Sequence, residues 1–197
     1  TSPTTTTTTS TVPPLPINVN LIVDVENDPT GELTDLATTA AETTIRTFPE
    51  LPQPDEMTIV VFSSLSYLAE RHGSPYAATY SETHPYIPGA SPSGLAWPWD
   101  NFTAIQHEPG QLNFQDRDDL RSTVAHEVYH LLSGGSYDER GGPEAIVEGT
   151  ARFAESVVKA ASPANGDPEV FLDDLYGGTE SRRAQCAVPL DFLFAEY

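Results

Sequence analysis

Over residues 117–132, apolar side chains recur at three- and four-residue spacing: Leu120, Val124, Val128 and Leu131. That period predicts a helix with one face turned into a core. His126, Glu127 and His130 stand on the same stretch, the two histidines off the apolar stripe. No other segment constrains the fold as much. A helix carrying such groups beside its buried stripe must be covered by elements that pack the stripe and still leave room for the imidazoles. Four residues make about one turn, so both imidazoles project from one face, about 6 Å apart along the axis. Glu127 lies about 100° further round.

The arrangement H-E-x-x-H has a chemical consequence. Two imidazoles one turn apart can direct a ring nitrogen each at one zinc ion, at about 2.0–2.1 Å. Glu127 can then reach a zinc-bound water without ligating the metal, and accept its proton. Five residues are few enough for the pattern to arise by chance, so a further ligand is needed. The next helical pattern begins at Pro143, which suits a first turn, and carries Ile146, Val147, Ala151, Ala154, Val157 and Val158. Glu148, Arg152 and Glu155 form a polar stripe along it. Gly149 and Ala151 are small enough for close packing against the first helix. Exposed glutamate is the default, so a solvated face is the plain reading of Glu148. Glu155 has two readings: an acceptor that orients a metal-bound histidine, or an ion pair with Arg152.

The segment from Pro143 through Glu148, Gly149, Ala151 and Phe153 to Glu155 resembles the P-x-W-L-x-E-G-x-A-x-[aromatic]-x-E stretch of the gluzincins. These are the thermolysin-like and aminopeptidase-like zinc peptidases. Ile146 replaces the leucine, and Ala145 stands where a tryptophan is common. Seventeen residues separate His130 from Glu148, close to the family spacing. The resemblance, over residues 18–160, implies an α+β, zincin-like fold. Its mixed β-sheet would have an edge strand packed on the HExxH helix, with a second helix bearing a ligand. It implies Zn2+ held by His126, His130 and Glu148, with Glu127 as catalytic base for peptide-bond hydrolysis. Residues 102–114 would supply the edge strand that pairs with extended substrate. Oxyanion stabilisation is expected from Tyr137, His107 or Tyr176, and the sequence does not choose among them. Two other functions stay open: a non-catalytic zinc-binding surface protein that retains the site, and a metal-free binding module. Competing zinc frameworks fit worse. A metzincin needs glycine at 133 and histidine at 136, and both positions are serine. Asp138 and Glu139 fall in a glycine-rich connection, and His72 and His84 read as loop or surface histidines.

The rest of the chain supplies the frame. Val19, Leu21, Val23 and Val25 alternate with polar and other residues, as in a strand. Leu33, Leu36, Ala37, Ala40, Ala41, Ile45 and Phe48 mark an amphipathic helix ended by Pro49. Residues 57–62 suit a buried strand. Ser64 is placed to cap a helix with Leu65, Leu68 and Ala69, closed by Gly73. Residues 74–100, rich in Pro, Ser, Tyr and Gly, read as a long loop. Residues 102–107 and 111–114 flank Glu108-Pro109-Gly110, which predicts a hairpin. Short helical pieces follow over 171–176 and 190–197. The last pattern stops mid-period, as it would if the native chain continued.

Residues 1–17, beginning Thr-Ser-Pro-Thr and dominated by threonine and proline, bury almost nothing and read as a disordered tether. Residues 18–197 then form one domain. Such tethers suit a secreted or surface-anchored protein. Nine Lys plus Arg face 29 Asp plus Glu, for a formal charge of −20. A chain so acidic repels phosphate backbones, so nucleic acid is not an expected partner; a peptide or protein substrate is. Cys186 is the only cysteine, so no internal disulfide forms.

Overall fold

The computed structural model describes residues 15–24, 28–83, 93–107, 114–134 and 144–160. They form an α+β arrangement in the order β1 (Asn18–Val23), α1 (Glu32–Thr47), β2 (Glu56–Phe62), α2 (Leu65–His72), α3 (Ser74–Thr83), β3 (Ser93–Trp97), β4 (Phe102–Gln106), α4 (Phe114–Ser133) and α5 (Glu144–Ala160). A short 3-10 turn, Pro98–Asp100, joins β3 to β4.

The sheet is mixed, in the order β1-β2-β4-β3. β1, β2 and β4 run parallel, and β3 pairs antiparallel with β4, Gly94 opposite Ile105. Alternation along the strands divides the apolar residues between two layers. Met57, Ile59, Val61 and Ile105 face the layer of α1, α4 and α5, where Leu33, Leu36, Leu120, Val124, Val128, Ala151 and Ala154 complete one core. Val60, Phe62, Phe102 and Ala104 face α2 and α3, where Leu68, Ala77 and Tyr80 complete the other. Ile17, at the end of the expected tether, is buried in the first core, and Leu15 packs against it.

Local signals account for the helix ends. Gly31, in the left-handed region, precedes α1 without a side-chain cap. Asp28 does that work: its carboxylate accepts from the N–H groups of Leu33 at 3.0 Å and Thr34 at 2.9 Å. Ser64 caps α2 as expected, accepting from the Tyr67 N–H, and Gly73 closes it. α4 ends where Gly134 turns to a φ of 64°.

Two expectations fail. Residues 74–100 are not one loop, because they contain α3 and β3. α3 has only two buried anchors, Ala77 and Tyr80, one turn apart. Packing holds a helix that its Pro, Ser and Thr content conceals. The hairpin partner of residues 102–107 is β3, which precedes them, and Phe114 already belongs to α4. The expected edge strand over 102–114 is corrected accordingly. β4 lies inside the sheet with all five residues buried, and β3 is one edge of the described sheet, β1 the other. The helical pieces over 171–176 and 190–197, and Cys186, lie outside the described residues.

Candidate metal centre

α4 and α5 pack side by side, and their facing surfaces build the site. Ala151, Ala154 and Val158 anchor α5 in the core, and Gly149 is buried beside them. This close approach brings the polar stripe of α5 against the imidazoles of α4.

Three residues converge. The Nε2 atoms of His126 and His130 are 3.0 Å apart. Glu148 places Oε2 3.2 Å from His126 Nε2 and Oε1 3.6 Å from His130 Nε2. All three ligand atoms lie within 4.8 Å of one another. Ligands of a tetrahedral zinc at about 2.0–2.1 Å stand about 3.3–3.4 Å from each other, so the observed separations bracket what one ion needs. The donor set also fits: two imidazoles and one carboxylate suit zinc and leave a position open. The His126 and His130 side chains are 14% and 13% exposed, against 40% for Glu148, so solvent reaches the group from the Glu148 side.

His126 is held from behind. Its Nδ1 lies 2.7 Å from Glu155 Oε1. The structure thus pairs Glu155 with the histidine rather than with Arg152. A carboxylate on Nδ1 fixes ring orientation and leaves Nε2 for the metal.

Electrostatics around the group are strongly coupled. Burial opposes charge on His126, but the hydrogen bonds to Glu148 and Glu155 and the field of Glu127 outweigh it, raising its pKa to about 10. Two carboxylates that hold a proton so firmly would hold a dication by the same attraction. The His126 hydrogen bond holds Glu148 below the usual carboxylate range. Glu127 behaves differently. Burial pushes its carboxyl up to about 7, with Glu148 and Glu155 adding to the rise and His126 opposing it.

Glu127 takes no part in the converging set. Its side chain lies against β3, directly beside Gly94. Gly94 escaped the sequence reading because it fell within the presumed loop; the alternation of Leu95 and Trp97 with Gly94 and Ala96 is the signal that could have found it. Of the oxyanion candidates, His107 is buried just beyond β4 and outside the ligand group, while Tyr137 and Tyr176 lie outside the described residues. His72, read as a surface residue, stacks on Phe102 at 4.7 Å. His84, Asp138 and Glu139 lie outside the described residues. No helix among the described residues is long and apolar enough to cross a membrane.

A scan against protein-family models finds no match for this chain, and searches of curated proteins and of solved structures likewise find none.

Proposed function

We propose that this protein is a zinc-dependent peptidase of gluzincin type with a zincin-like fold. One observation carries the reading: His126, His130 and Glu148 converge on one point, while Glu127, on the same helix, stands beside them without joining the set. A purely structural metal site has no use for that fourth group.

Bound there, zinc would supply Lewis acidity, polarising a substrate carbonyl and making a water molecule more acidic. The chain supplies the rest. His126, His130 and Glu148 bind, and Glu155 keeps His126 turned toward the site. Glu127 accepts a proton from the attacking water and returns it to the departing amine nitrogen. A buried carboxylate beside the converging set is placed to do both. β3 pairs with β4 on one side only among the described residues. An extended peptide added along its other side would pass the site, as strand-addition recognition requires.

The substrate is a peptide or protein, not a nucleic acid, given the charge of −20. The threonine- and proline-rich residues 1–17 suit an extracellular protein, secreted or tethered to a surface.

The test combines metal analysis of purified protein with cleavage of a broad peptide library, with and without chelator. We expect one zinc per chain and chelator-sensitive cleavage that Glu127→Gln removes. Bound zinc with no cleavage of any peptide would favour the non-catalytic zinc-binding function. Absence of bound metal under zinc loading would overturn both.

A further inference from the structure

Successive residues of β3 point to opposite sides of the sheet. Leu95 and Trp97 pack against the core under α2 and α3, whereas Ala96 packs against the core under α4. Gly94 shares the side of Ala96, and what it meets there is Glu127. A Cβ built on Gly94 would lie 2.7 Å from both Cδ and Oε1 of Glu127, and closer still to its Cγ. Real Cβ atoms essentially never come within 3.0 Å of such neighbours. The backbone itself does not demand glycine here, since Gly94 is not among the residues with positive φ. The demand is for space.

Glu127 has little freedom to yield that space. It is buried, and the obstruction includes Cγ, one carbon out from its own Cβ, as well as the carboxylate. Relieving the clash requires moving the whole side chain, not only its tip. We infer that Gly94 is a positioning residue: by lacking a side chain, it sets where the Glu127 carboxylate stands between β3 and α4. This inference rests on the reading of Glu127 as the catalytic base only for its effect on turnover. The steric relation is independent of it.

Gly94→Ala and Glu127→Ala, singly and combined, test the assignment on the full chain. Gly94→Ala should still load one zinc per chain, because the three atoms nearest the new methyl group all belong to Glu127 and none to a ligand. Its kcat on library-identified peptides should fall about 100-fold or more, the scale of a misplaced general base, while KM changes by less than about threefold. Overpacking should lower Tm by about 5 °C in the parent. Most of that loss should vanish in the Glu127→Ala background, where the obstructing atoms are gone. Parental kcat in Gly94→Ala, or an equal Tm loss in both backgrounds, overturns the assignment. If the parent cleaves no peptide but the Tm coupling holds, the steric assignment stands and the peptidase function falls.

Discussion

The two sides of the β3–β4 hairpin are built on opposite plans. Toward α2 and α3 the hairpin presents Leu95, Trp97, Phe102 and Ala104, and the space is filled by rings. Trp97 and Tyr76 lie 5.1 Å and 4.7 Å from Phe102, and Phe62 meets Tyr80 edge-on at 5.0 Å. Toward α4 the same β3 presents Gly94 and Ala96, and the space released is taken by a buried carboxylate. One side gains stability from what its side chains fill. The other gives up packing volume, and a buried carboxylate stands in the space.

This contrast predicts that the two sides fail in different ways when mutated. The largest effect is expected at Glu127→Gln: zinc retained, hydrolysis reduced about 100- to 10,000-fold. Undiminished turnover in that variant would remove Glu127 from the mechanism. On the other side, Phe62→Ala should cost about 3–5 kcal/mol of stability and leave zinc stoichiometry of the folded fraction unchanged. Chemical denaturation with metal analysis checks this, and a variant that lost zinc while fully folded would erase the division. Glu155→Gln is intermediate. With the carboxylate gone from His126 Nδ1, zinc affinity should fall about 10- to 100-fold by chelator competition, with little change in Tm.

Acidity should act on the α4 side as well. His126 carries a pKa raised to about 10, so below that value zinc must displace a proton from it. Zinc affinity should therefore rise with pH between 6 and 8, about tenfold per unit for each proton displaced. Affinity independent of pH over that interval would contradict the electrostatics of the site. The smallest effect is expected at Tyr80, whose hydroxyl donates to Ser93 O at 2.8 Å. Tyr80→Phe should cost about 1 kcal/mol, measured by denaturation. Burial raises the Tyr80 pKa to about 12, so the folded state favours its neutral form. That contribution is fully present below about pH 10, the unfolded value, and is lost as pH rises toward 12.

Residue spacing was enough to place His126 and His130 on one helical face and Glu148 and Glu155 on another, because helical period is local. The same holds for the buried stripe of α1, for β1 and β2, and for the Ser64 and Gly73 signals around α2. Spacing could not choose between Arg152 and His126 as the partner of Glu155, since that depends on how two helices lie together. It also concealed α3 and β3, whose Pro, Ser and Gly content reads as loop. Ala77 and Tyr80 hold α3 only through the sheet beneath it, and β3 exists only through pairing with β4.

Local pattern therefore carries the inventory of chemical groups and the faces that present them, because a helix of 3.6 residues per turn leaves little choice. Packing settled which faces meet. It put the α5 carboxylates on the α4 imidazoles, made β3 rather than residues 102–114 an edge, and set Gly94 against Glu127. Those contacts join residues up to 33 positions apart (Gly94 and Glu127), and no local pattern encodes a distance that packing alone closes.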